Sequence, residues 1–105
     1  MYGLPTETIE NIQAVLDKYE QVQEAIIYGS RAKGTARQGS DIDLALIGDE
    51  INLNILNKIS RDLEELPIPY IVDLSIYNRI HDRDLIEHIE RVGKVFYKNQ
   101  GNKSC

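Results

Sequence analysis

The chain has 105 residues, 42% hydrophobic and 28% charged, a make-up that suits one globular domain around a single core. Its net charge of −5 repels a phosphate polymer on average, so sequence-independent nucleic-acid binding is disfavoured. One cysteine, Cys105, excludes an intrachain disulfide framework, and no apolar run approaches the ~18 residues of a membrane span.

The elements follow in chain order. Pro5 and Thr6 carry helix-start signals, and Ile9, Ile12, Val15, Leu16 and Tyr19 recur at helical spacing. Residues 25–28 are a short apolar run, read as a buried strand that Gly29 breaks. Residues 30–34 suit a short helical turn, and a polar loop runs on through Gly39. Residues 42–47 return to strand character and end at Gly48 and Asp49. Leu53, Leu56, Ile59, Leu63 and Leu66 mark a second amphipathic helix, stopped by Pro67. Residues 70–76 are β-branched and apolar, a third strand. Leu85, Ile86, Ile89 and Val92 mark a third long helix, with His81 or Asp82 at its start and Gly93 as its C-terminal cap. Residues 95–97 add a short edge strand. The expected fold class is α/β (α+β), a small mixed β-sheet covered by helices. The domain is expected over residues 1–97, with a polar C-terminal tail at 98–105 and a dispensable thiol at Cys105. The opening residues lack a basic region followed by an apolar stretch, so a cytoplasmic protein is expected.

One segment suggests chemistry, residues 29–46, GSRAKGTARQGSDIDLAL. Asp41 and Asp43 are one residue apart at the start of a strand, where positions i and i+2 share a face. Two like charges so close repel unless a cation lies between them or one is protonated. Mg²⁺ takes a few carboxylates together with phosphate oxygens and water, which suits the pair. Asp73 is the third candidate acid, because it interrupts an apolar strand where an unpaired buried charge is costly. If that strand pairs beside residues 42–47, the acid lies about 4.8 Å away, one strand spacing. Taken alone, the Asp-x-Asp pair reads as Asp41 capping a turn beside a solvated Asp43, and it is Asp73 with the upstream Gly29-Ser30 that turns the reading to function. Gly29 between strand and helical turn lets backbone N–H groups approach an anion, and the Ser30 hydroxyl adds a donor. A Walker A loop is rejected, because Thr35 stands where the essential lysine would be.

The pattern Gly29-Ser30, then Asp41-x-Asp43, then Asp73 resembles the polymerase-beta nucleotidyltransferase superfamily. More closely, it is similar to the minimal nucleotidyltransferases (MNT), over essentially the whole chain. Lys33 stands where that family commonly has arginine, which keeps the charge. The resemblance implies a polymerase-beta-like nucleotidyltransferase fold and a Mg²⁺-dependent transfer of a nucleoside monophosphate, AMP from ATP, to a hydroxyl. It implies that Gly29 and Ser30, with Arg31 and Ser40, bind the nucleotide. It implies that Asp41, Asp43 and Asp73 are catalytic and hold two Mg²⁺ ions, with Asp73 also acting as general base. Members are encoded beside helical HEPN toxins and act as antitoxins, so the implied partner is a HEPN-type protein and the implied acceptor one of its tyrosines.

The remaining polar residues leave alternatives open. Arg31 and Lys33 suit phosphate contact or a solvated surface, and Arg37 suits a loop folding over nucleotide or a free surface position. Ser40 also reads as a plain turn residue. His81 and His88 lack metal-ligand spacing and read as a helix cap and a surface residue. The six tyrosines lack an accompanying basic patch and read as core or rim. A competing function is an antitoxin that neutralises a helical partner by contact alone. An accessory subunit acting on a small molecule would need an acceptor-binding domain that these residues do not provide. A template-directed polymerase fits neither the acidic balance nor the missing basic groove. The expected partners include a nucleoside triphosphate but no nucleic-acid polymer and no membrane.

Overall fold

The computed structural model describes residues 2–34 and 41–99. Helix α1 spans Thr6–Asp17, strand β1 Glu24–Tyr28, the short helix α2 Ser30–Lys33 and strand β2 Ile42–Ile47. Helix α3 spans Leu53–Glu64, strand β3 Val72–Ile76, helix α4 Arg83–Val92 and strand β4 Lys94–Lys98. A 3₁₀ turn, Tyr77–Arg79, joins β3 to the loop before α4.

The four strands form one mixed sheet in the order β3-β2-β1-β4. β1 runs antiparallel to both β2 and β4, while β2 and β3 are parallel. A parallel pair needs a crossover, and α3 supplies it between β2 and β3. The result is the small mixed sheet with helical cover that the alternating pattern implied.

The strand period of two separates the sheet into two faces. Ile27, Ile42, Leu44, Leu46 and Ile76 pack with Ile12, Val15 and Leu16 of α1 and Ile59 and Leu63 of α3, and this is the main core. The opposite face carries a smaller core, Tyr28, Ala45 and Ile89, with Ile26 and Leu85 packed against it. α1 and α3 therefore cover one face and α4 lies on the other.

Local chemistry sets the helix ends. Asn52 caps α3 by accepting from the Ile55 backbone N–H at 2.9 Å. Asp82 caps α4 by accepting from the N–H groups of Asp84 and Leu85. The cap at α4 is thus Asp82 and not His81, because a short carboxylate reaches back to the first-turn donors. Gly93 does end α4, but its backbone is extended (φ −66°, ψ 148°). A Cβ there would stand 2.6 Å from Ile26 Cγ2 and 2.3 Å from the Ile89 carbonyl oxygen. Close packing of the helix end on β1, not a left-handed cap, selects the glycine.

Three further expectations are corrected. Leu53 fits the helical spacing of the apolar face of α3 but is 60% exposed, being the first helical residue and turned outward. The third strand starts at Val72 and not at residue 70, with Ile71 left 69% exposed just before it. The expected tail boundary at 98 falls inside β4, since Lys98 pairs with Glu24 and the Asn99 N–H donates to the Gln23 carbonyl at 2.9 Å. Residues 100–105, Cys105 among them, lie outside the described residues.

Candidate active site

β1 delivers Tyr28 and then Gly29 at one end of the sheet. Gly29 adopts φ 79°, ψ −154°, a region essentially reserved for glycine, and turns the chain from strand into α2. A Cβ at this position would lie 2.7 Å from Oδ2 of Asp43. The turn and the carboxylate are therefore in immediate contact, and Ser30 opens α2 beside them.

β2 delivers the acids. Asp41 is exposed just before the strand, and Asp43 is half-buried within it. The parallel register places Asp43 directly opposite Asp73 on β3 and Ala45 opposite Ser75. Asp73 is exposed, which corrects the expectation of a charge buried in an apolar strand: its neighbours Val72 and Leu74 turn to the main core, and it turns to the opposite face. Burial pushes the Asp43 carboxyl above the ordinary carboxylate range, and repulsion from Asp73 and then Asp41 pushes it further. His88 on α4 acts in the opposite direction.

The donor set fits a hard divalent cation, since the pair Asp43 and Asp73 offers oxygen ligands from facing positions of adjacent strands. Among the described residues, no three acidic, histidine or cysteine side chains converge closely enough to enclose a metal ion. Repulsion among the three like charges works against such convergence.

The basic neighbours separate. Arg31 is only 3% exposed, and its guanidinium donates to the Tyr2 carbonyl at 3.1 Å and the Gly3 carbonyl at 3.4 Å while lying 5.0 Å over the Tyr70 ring. These partners hold the charge inside the protein. Lys33 remains exposed. Ser40 and Arg37 lie outside the described residues.

Three residues at the site escaped the sequence reading. Tyr28, 7% exposed, lies opposite Asp43 in the antiparallel register. Its hydroxyl shares a hydrogen bond with the Ser75 side chain. His88, expected on the surface, is half-buried and meets the Tyr28 ring edge-on with centroids 6.3 Å apart. The usable signal was parity: Ser75 is two residues from Asp73 and therefore shares its face. The position of His88 beside Ile89, on the inner side of α4, was the other clue.

The chain matches the family model described as polymerase beta, nucleotidyltransferase, over residues 10–102. It belongs to that nucleotidyltransferase family. No curated protein matches. Among solved structures, one chain of a toxin–antitoxin complex with AMP-PNP superposes with a TM-score of 0.69 at 20% identity, covering 96% of this chain and 79% of that one. A chain from a tri-AMPylated Shewanella oneidensis HEPN toxin in complex with its MNT antitoxin gives a TM-score of 0.67 at 17% identity, with 99% and 78% covered. A candidate nucleotidyltransferase from Sulfolobus solfataricus gives 0.53 at 21% identity, with 94% of each chain covered. At these identities the likeness is one of fold, and it agrees with the mixed sheet and helical cover described above. No helix among the described residues is long and apolar enough to cross a membrane.

Proposed function

We propose that this chain is the antitoxin of a two-protein system and acts as a Mg²⁺-dependent adenylyltransferase, moving AMP from ATP onto a tyrosine hydroxyl of a HEPN-type toxin. The observation that carries the reading is the placement of Asp43 opposite Asp73 and against the Gly29 turn. Family membership supports the transfer chemistry. Similarity to a toxin–antitoxin complex holding AMP-PNP and to a complex with an AMPylated HEPN toxin supports the nucleotide and the partner.

In this mechanism the Gly29 turn and the Ser30 hydroxyl, with Ser40, bind the triphosphate. Asp41, Asp43 and Asp73 would hold Mg²⁺, which supplies positive charge where negative charge grows in the transition state. Asp73 accepts the proton of the incoming hydroxyl. That oxygen forms a bond to the α-phosphorus, the bond from the α-phosphorus to the bridging oxygen breaks, and pyrophosphate leaves. Positioning of hydroxyl and phosphorus contributes much of the acceleration.

The test combines the purified protein with the helical protein encoded beside it, Mg²⁺ and each labelled nucleoside triphosphate, followed by intact-mass analysis. A mass gain of one or more AMP units on a toxin tyrosine, abolished by Asp41→Asn, is the expected result. Association of the two proteins without any mass change would leave neutralisation by contact alone.

A further inference from the structure

Tyr28, Ala45 and Ser75 lie on the sheet face that carries the two facing acids, Tyr28 in line with the acids and Ala45 and Ser75 one face position along. Tyr28 on β1 lies opposite Asp43 on β2. Ala45 is two residues beyond Asp43, on the same face, and pairs with Ser75 on β3. The side chain of Tyr28 must therefore cross β2 to reach Ser75, over two strand spacings, roughly 10 Å between the outer backbones. Ala45 makes this possible. It is fully buried against Tyr28, and its methyl group leaves room for the ring that a larger residue would fill. His88 and Ile89 of α4 close the ring from above, His88 edge-on and Ile89 within the same buried cluster.

The Tyr28–Ser75 hydrogen bond thus ties an outer strand to an inner one beside Asp43 and Asp73. The ladder between β2 and β3, together with the packing of Val72, Leu74 and Ile76 on the main core, otherwise sets how far apart those two carboxylates stand. β3 is an edge strand, with β2 as its one neighbour in the sheet among the described residues. An edge strand is tied into the sheet by a single ladder, where an inner strand has two. We propose that Tyr28, acting through Ser75, is a positioning residue that holds β3 at the spacing at which Asp43 and Asp73 grip one divalent cation.

This inference rests on the metal-dependent reading of the same site. Tyr28→Phe keeps the ring and its packing and removes only the hydroxyl. Ser75→Ala removes the partner hydroxyl, and Ser75→Thr keeps it. The probe is Mn²⁺ alone, titrated into each purified protein and followed by the electron paramagnetic resonance of the free ion. A residue supporting metal ligands typically changes affinity by about 10- to 100-fold.

Tyr28→Phe and Ser75→Ala are each expected to weaken Mn²⁺ binding by about tenfold, with the double variant no weaker than either alone, and Ser75→Thr is expected to bind as wild type. At saturating metal, kcat is expected to fall while KM for the nucleotide stays unchanged. Wild-type affinity within about twofold for both Tyr28→Phe and Ser75→Ala overturns the inference, as do losses that multiply in the double variant. Failure of the wild-type protein to bind Mn²⁺ at all overturns the metal reading beneath it, a different result on the same titration.

Discussion

Gly29 and Asp43 touch: the hydrogen that replaces a side chain on Gly29 faces a carboxylate oxygen, with a Cβ position only 2.7 Å from Asp43 Oδ2. Two independent constraints meet at this residue, a backbone region closed to other amino acids and a steric limit set by an acid fourteen residues on, brought there by the register of β1 and β2. Gly29→Ala should destabilise the fold by about 1–3 kcal/mol through strain alone. It should also displace Asp43 and abolish nucleotide transfer at temperatures where the variant is still folded. Thermal denaturation and the mass assay together check both parts.

Asp43→Asn separates stability from chemistry. Burial and the charges of Asp73 and Asp41 disfavour the ionised carboxylate in the folded protein. A carboxyl raised in the folded state binds its proton more tightly there, so ionisation at neutral pH works against folding. Metal-free Asp43→Asn should therefore melt at or above the wild-type temperature near pH 7. The difference should shrink as pH falls through the carboxylate range, where the wild-type acid takes up its proton. Added Mg²⁺ should raise the melting temperature of wild type and leave the variant unmoved. Transfer should fall by at least ~10²-fold, as expected for loss of a charge acting on the transition state.

Arg31→Ala tests packing against phosphate binding. The guanidinium is held by two carbonyls and one aromatic face inside the protein. Its removal leaves those acceptors without their charged donor and should lower stability by about 2–4 kcal/mol in urea denaturation. KM for the nucleotide should stay near wild type in the fraction that folds. A large rise in KM with stability intact would instead assign Arg31 to the phosphates.

Alkaline pH should loosen the contact of α1 with β4. Tyr97 donates to Asp17 at 2.7 Å, and burial followed by that bond and its negative charge pushes the phenol up to about 12. The folded state holds the phenolic proton more tightly than the unfolded chain. This contribution is therefore fully present below the ordinary value of 10.0 and is lost as pH rises through about 12. Urea titrations across that window should show stability falling with pH, and Tyr97→Phe should flatten part of the slope. Phenolate absorbance would confirm a tyrosine that titrates late.

Much of the fold was legible because it depends on local pattern. Helical spacing in α1 and α4, the strand character of residues 42–47 and the break at Gly29 are properties of neighbouring residues, and each element formed there, although α1 ends at Asp17, before Tyr19. The errors fall at boundaries. Leu53 satisfies helical spacing but sits on the first turn, outside the core, and residue 70 has strand composition but no partner in the ladder. Neither exposure nor pairing is a property of a segment by itself.

By itself, the sequence determined that two acids share one face of a strand and that a glycine ends the strand before them, since a two-residue spacing in a strand and a glycine at its end are local facts. Only the tertiary structure decided what surrounds them. The parallel pairing of β2 with β3 set Asp43 opposite Asp73, and the packing of α4 brought His88 onto Tyr28. The N-terminal turn drew Arg31 inward to its carbonyls. Each of these contacts joins residues far apart in the chain, and its sign depends on register and burial, which arise when the sheet and helices pack together.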